Sequence, residues 1–283
     1  MLFRSQEREK FPYEYPTHLL EMVAGLPKAP GVYQFHGDGQ SVPLYIGKSV
    51  DIRTRVMSHL REPREARLLA QTRSITHVRM AGDIGARLLE AQQIKALQPL
   101  YNKKLRRTHR ICSIALDLGE VRYAFSNEPD FRHRPSLYGL FGSKATAQEA
   151  LRALADEHEL CYARLGLERT PGGRPCFRHS IGRCGGVCAG KEEGAEHDAR
   201  VFAALQTMEV MRWPYEGRVA IEERDGSFRK LHVIDRWTYL ATAGNLREAR
   251  RISGKAGDFD RDSYHILSTA IAAGSMKLTP LQV

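Results

Sequence analysis

GVYQFHGDGQSVPLYIGKSVDIRTRVMSHL runs from Gly31 to Leu60 and carries two apolar runs followed by a basic one. Gly31–Phe35 and Pro43–Gly47 are short apolar runs on either side of HGDGQ, a segment of turn formers, and they read as two strands of a hairpin. The apolar run stops at Gly47-Lys48-Ser49, and a basic helix begins near Asp51, a residue type that caps helix N-termini. Tyr33 and Tyr45 then fall on neighbouring strands, with a glycine and a lysine just after the second and an arginine-rich helix behind. A hairpin that had only to fold would not need so many ionisable groups this close together.

Before this stretch, residues 1–28 read as a polar, proline-punctuated arm with a short helix near residues 17–24, stapled by Leu19, Leu20 and Val23. Arg64–Arg73 reads as a further short helix and Ile75–Met80 as an alternating strand. Asp83–Leu97 has a helical stripe of Ile84, Leu88, Ala91 and Ile94, and Gln98-Pro99 ends it. An αβ domain over residues 29–105 is expected, with a small mixed or antiparallel sheet flanked by helices, so the fold class is α+β. Residues 111–215 are expected to form a second region: a hairpin turning at Gly119, a helix over 145–158 capped near Ser143 or Thr146, a cysteine-rich stretch, and an amphipathic helix over 196–211. Residues 216–283 read as two strand-like runs, 217–225 and 228–242, and a closing helix over 262–273.

Composition bounds the partner. There are 43 Lys and Arg against 33 Asp and Glu, a formal charge of +10, which favours a polyanion, with nucleic acid ahead of an anionic membrane. No run approaches the ~18 apolar residues of a membrane span, and the N-terminus lacks the apolar core of a signal peptide. A cytoplasmic, monomeric protein is expected. Four of the five cysteines cluster, which in a reducing compartment points to metal rather than disulfides.

GVY at 31–33 and YIG at 45–47 resemble the two signature tripeptides of GIY-YIG endonucleases, and Arg55, Glu90 and Asn102 stand at the further positions that family uses. YIGKSVDIRTRV and EAQQIKALQPLYN are closer to the UvrC subfamily, and the shortness of the chain resembles its short, Cho-type branch. One departure is His59, where UvrC proteins often carry tyrosine; one turn on from Arg55, it faces the same site and would hold a phosphate or a water. The resemblance implies a metal-dependent endodeoxyribonuclease with catalytic Tyr33, Tyr45, Lys48, Arg55, His59, Glu90 and Asn102. The residues alone make chemical sense of this. Glu90 would hold Mg²⁺ or Mn²⁺, and Arg55 would stabilise developing negative charge. Tyr33 or Tyr45 would take a proton from water, provided Lys48 lowers its pKa from about 10. Gly47 would let a phosphate approach the backbone. Any of these residues alone is better read as structural, a strand aromatic in the core or a solvated helix glutamate; the combination carries the reading.

Cys161, Cys176, Cys184 and Cys188 lie in CYARLGLERTPGGRPCFRHSIGRCGGVCAG, similar to the region that follows the UvrC nuclease domain. Four thiolates suit tetrahedral Zn²⁺ or a cubane; the resemblance implies a [4Fe-4S] cluster, with zinc the alternative. Cys112 stands apart on a strand and reads as core. Candidate DNA contacts are Gly47, Arg53, Lys103, Lys104, Arg106, Arg107, Arg174, Arg178 and Arg183. The resemblance further implies incision on the 3′ side of a lesion in damaged double-stranded DNA handed on by UvrB, with UvrA upstream. Alternatives are a stand-alone GIY-YIG nuclease independent of those proteins, and a non-catalytic DNA-binding module on the same fold. Residues 218–283 carry no motif that converts into chemistry; docking to UvrB is the expectation for them.

Overall fold

In the computed structural model the opening stretch is a hairpin laid beside a third strand. The structure describes residues 12–39, 41–105, 110–117, 119–170, 173–254, 259–274 and 276–281. Strands β1 (Gly31–His36), β2 (Tyr45–Ser49) and β3 (Ser74–Arg79) pair antiparallel in the order β2-β1-β3. Side chains alternate across a sheet. Tyr33, Phe35 and Tyr45 therefore pack together with α1 (Leu20–Ala24), α2 (Ile52–Leu60) and α3 (Ala66–Gln71), while Val32 and Ile46 pack with Ile94 of α4 (Asp83–Leu97). Asp51 caps α2 by accepting from the Thr54 amide, and Gln98 closes α4 in the left-handed region at φ 51°.

Three expectations change here. Strand β2 does not stop at Gly47 but runs to Ser49, because Lys48 and Ser49 pair with Val32 and Gly31 through backbone groups that need no apolar side chain. Leu19 and Val23 are buried as expected, but Leu20 is 38% exposed. Strand β3, at the sheet edge, is largely exposed rather than alternating.

The middle of the chain has its own sheet of β4 (Cys112–Asp117), β5 (Glu120–Phe125) and β6 (Leu137–Phe141), ordered β5-β4-β6. It packs with α5 (Lys144–Glu157), which opens with a reciprocal Ser143–Thr146 capping box. The short α6 (Phe177–Ser180) lies in the cysteine region, and α7 (Gly194–Gln206) ends five residues before the expected Met211. The last part is a four-stranded antiparallel sheet of β7 (Arg218–Asp225), β8 (Phe228–Asp235), β9 (Thr238–Ala243) and β10 (Lys277–Leu281), ordered β10-β7-β8-β9, with α8 (Leu246–Arg251) and α9 (Arg261–Ala272). The run expected as one strand, 228–242, is two, reversing at Arg236-Trp237.

The chain makes two compact units. One takes the described residues within 1–108, 215–256 and 262–283, so the C-terminal sheet belongs with the N-terminal one; the other takes those within 109–214 and 257–261. Among the described residues no helix is long and apolar enough to cross a membrane.

Candidate active site and thiol centre

Tyr33 sits at the middle of a hydrogen-bonded chain. Its hydroxyl lies 2.6 Å from His59 Nε2, and His59 Nδ1 meets the carboxylate of Glu65. On its other side it hydrogen-bonds the Tyr45 hydroxyl, and the Arg55 guanidinium lies beside both phenols. Pairing places Tyr33 opposite Gly47, and a Cβ built on Gly47 would stand 2.4 Å from the Tyr33 hydroxyl. Gly47 is buried. Its lack of a side chain makes room for Tyr33, and the expected approach of a phosphate to its backbone is replaced by this packing role.

His59 is likewise not a phosphate contact. It is 3% exposed, stacked edge-on to Tyr33, Phe35 and Tyr45, and both ring nitrogens are engaged. Glu65, absent from the sequence reading, completes the chain; six residues on, beyond the end of α2, it leaves no local signal. Burial pushes both tyrosines above the ordinary phenol value, against the lowering effect of Arg55. The expected lowering by Lys48 does not occur. Lys48 Nζ is held 2.7 Å from Asp83, so Arg55 is the cation beside the phenols.

The outer edge of β2 brings in the other partners. Glu90, on α4, accepts the Lys48 backbone N–H at 3.1 Å. Burial, helped by Asp83, raises its carboxyl to about 7, against the opposing pull of Lys48 and Arg87. One oxygen is committed to that amide, which leaves the other to take a cation. Asn102, expected as a catalytic group, is 7% exposed and spends its side chain on Ile46, accepting from its N–H at 2.9 Å and donating to its carbonyl at 2.8 Å. It fixes the strand between Tyr45 and Gly47 rather than reaching the site.

In the other unit the four clustered cysteines converge. Cys161, Cys176 and Cys188 place their sulfurs within 4.8 Å of one another, and Cys184 Sγ lies 3.7 Å from Cys176 Sγ. Cys112 is buried in the core, as expected. His197, not singled out from sequence, is fully buried and accepts the Cys161 backbone N–H at Nε2, which ties α7 to the thiol centre.

Residues 29–103 match the UvrC-like GIY-YIG domain, 111–207 the middle domain of UvrC and Cho excinucleases, and 218–283 the C-terminal domain of excinuclease Cho. Excinuclease Cho of Escherichia coli K12 is 45% identical over 95% of this chain and 91% of its own length. The chain belongs to the Cho family of excinucleases. It is thus a GIY-YIG nuclease of nucleotide excision repair. Excinuclease Cho of Salmonella typhimurium is 42% identical over 95% of this chain and 92% of its own. The magnesium-bound N-terminal endonuclease domain of UvrC from Thermotoga maritima is 28% identical, covering 30% of this chain and 97% of that one, with a TM-score of 0.28.

The described basic residues of this Cho-family chain fall into two groups, exposed cations and cations held by the fold. Lys103, Lys104, Arg174 and Arg183 are exposed. Arg106 and Arg107 lie outside the described residues. Arg53 donates to the Leu26 carbonyl at 2.6 Å and so fastens the segment after α1 to α2. Arg178 is only 9% exposed, paired with Asp156, bonded to the Ala155 and Arg183 carbonyls and stacked 4.8 Å over Tyr162. Its guanidinium organises the cysteine loop instead of facing outward to DNA.

Proposed function

We propose that the chain incises damaged duplex DNA on the 3′ side of a lesion, on substrate prepared by UvrA and UvrB, using Glu90 as carboxylate ligand to Mg²⁺ or Mn²⁺. The observation that carries the chemistry is the chain Tyr45–Tyr33–His59–Glu65 beside Arg55 and Glu90. A divalent cation on Glu90, when bound, supplies charge for the phosphate and its leaving oxygen. The protein's own groups do the rest. Tyr45, the more open phenol, meets the attacking water. With Glu65 on Nδ1, His59 holds either one proton and accepts from Tyr33, or two and donates to it. These states differ by one proton moved along the chain. Tyr45 can therefore take a proton as the water O–H breaks and the new O–P bond forms, handing its own proton to Tyr33 while Tyr33 hands its own to His59; the P–O bond to the leaving oxygen breaks, and that oxygen takes its proton from solvent. No standing tyrosinate is needed, in keeping with the burial of both phenols. Arg55 opposes the negative charge that accumulates on the phosphate.

The test is incision of an end-labelled, lesion-bearing duplex with and without UvrA and UvrB. The expected result is a single 3′ cut dependent on both proteins and slowed about a hundredfold in Tyr45→Phe, the ordinary worth of a positioned base. A cut made equally well without them would establish a stand-alone nuclease.

For the thiol centre, four cysteines fit either metal reading. We favour a [4Fe-4S] cluster, held by Cys161, Cys176, Cys184 and Cys188. The half-exposed Cys184 and Cys188 and the glycines between them can spread to reach separate irons. Zinc is the second reading, favoured by one observation. The 3.7 Å sulfur separations match the edge of a single-ion tetrahedron, roughly 3.8 Å for Zn–S bonds of about 2.3 Å. Anaerobically purified protein is expected to absorb in the visible, with about four irons per chain. Colourless protein with one zinc per chain would decide for the tetrahedron.

A further inference from the structure

The helix that carries Glu90 is capped from the far end of the chain. Gly82, the residue before α4, has no side chain to satisfy the first amides of the helix. Glu223 of β7 does so instead: Oε1 accepts the Ile84 N–H at 2.9 Å and Oε2 the Gly85 N–H at 2.8 Å. Behind it His232 of β8, fully buried, bonds Glu223 through Nε2 at 2.9 Å and Thr242 through Nδ1 at 2.8 Å, and Tyr239 bonds the same threonine at 2.7 Å. Burial works against the Glu223 charge, but His232 and the two amides outweigh it and hold the carboxyl below its ordinary value. The fit leaves no slack. A Cβ on Gly82 would lie 2.2 Å from Glu223 Oε1, and one on Gly85 2.2 Å from His232 Cε1. Further along the helix, Lys95 pairs with Asp262 of α9 at 2.7 Å; in front of it, Arg79 pairs with Asp225 of β7 at 2.7 Å.

We infer that the C-terminal sheet is a positioning element of the nuclease site, with Glu223, backed by His232, setting the N-terminal turn of α4 and through it Asp83 and Glu90. The inference rests on the reading of Glu90 as the cation ligand. A carboxylate on the N-terminal amides also suits the positive end of the helix dipole. Asp83, in that first turn, holds Lys48, and Glu90, two turns on, holds the Lys48 amide. A shift at the cap is therefore transmitted to both contacts that β2 makes with α4.

The experiment uses the full chain and Mn²⁺, read by binding titration as well as by incision. Glu223→Ala is expected to weaken Mn²⁺ binding and lower kcat about tenfold, the usual worth of one lost cap, with KM for DNA unchanged. Amide exchange at Ile84 and Gly85 should speed up in the metal-free protein. Removing the Glu223 side chain also makes room for a local cap. Glu223→Ala/Gly82→Asp should therefore recover Mn²⁺ affinity and kcat, which no general loosening of the C-terminal sheet would allow. Should Glu223→Ala not fold, Glu223→Gln keeps one acceptor and should show a smaller loss of the same kind. Glu222→Gln, whose carboxylate pairs with Arg224 and Lys277 instead, is the unaffected control. Unchanged Mn²⁺ affinity in Glu223→Ala, or no recovery in the double variant, overturns the inference. Unchanged affinity in Glu90→Gln overturns the ligand reading beneath it, so the two failures are told apart.

Discussion

Glu90→Gln is expected to reduce incision about ten-thousandfold, to the level left by DNA binding alone, while leaving the fold intact. The amide oxygen of glutamine can still accept the Lys48 N–H, so strand and helix stay joined; what is lost is the charge offered to the cation. The same substitution has a second signature in the metal-free protein. The folded-state value of Glu90 is raised from 4.5 to about 7, so the fold prefers the neutral carboxyl. Its contribution to stability is fully present below the unfolded value and is lost as pH rises through about 7. Glutamine does not titrate. The variant should therefore melt higher than the wild type at pH 8 without metal, with the difference closing towards pH 4.5. Added Mg²⁺ should stabilise only the wild type. Because a proton competes for the same oxygen, the Mg²⁺ concentration needed for half-maximal incision should rise about tenfold for each pH unit below about 7. Thermal melts and metal titrations across that range check both signs.

Gly47→Ala should be nearly as damaging without touching a reactive atom. The added methyl would meet Tyr33 at 2.4–2.9 Å, and Tyr33 is 1% exposed with nowhere to retreat. Overpacking of this kind costs roughly 1–3 kcal/mol, which chemical denaturation will read. The loss of rate is expected to be larger in proportion, about a thousandfold, since Tyr45 and His59 both take their places from the Tyr33 hydroxyl. Gly39→Ala is the comparison. It removes the other kind of glycine, one at φ 62° with open space around it, and should affect stability alone.

Much of this site can be read from local pattern. GVY, YIG, Arg55 and Glu90 lie on elements whose periodicity is plain, and the Asp51 and Ser143 caps announce their helices. What could not be read depends on residues distant in sequence or on turns without their usual markers. Arg236 and Trp237 adopt φ of 44° and 70° with no glycine, so one apparent strand concealed a hairpin. Strand β6, LYGLF, is short and interrupted by Gly139 at φ 66°. The role given to His59 assumed a side chain pointing at substrate; burial and the two flanking bonds, unknowable without Glu65, turned it inward. Glu223 lies about 140 residues from the amides it satisfies, a pairing for which sequence offers no period or spacing.

The outer edge of β2 has no neighbouring strand. An exposed strand edge offers unpaired N–H and C=O groups to any other chain and invites unwanted pairing. Here the Leu44 carbonyl is taken by the Tyr101 amide at 2.9 Å, both groups of Ile46 by the Asn102 side chain, and the Lys48 N–H by Glu90. Glu90 of α4 and the segment after that helix thus stand in for a missing fourth strand, with side chains imitating peptide groups. The last of those substitutes is the carboxylate that would carry the cation. Protection of the sheet against self-association and placement of the ligand are one device, and a change that loosened the edge would expose the protein to aggregation as it disarmed the nuclease.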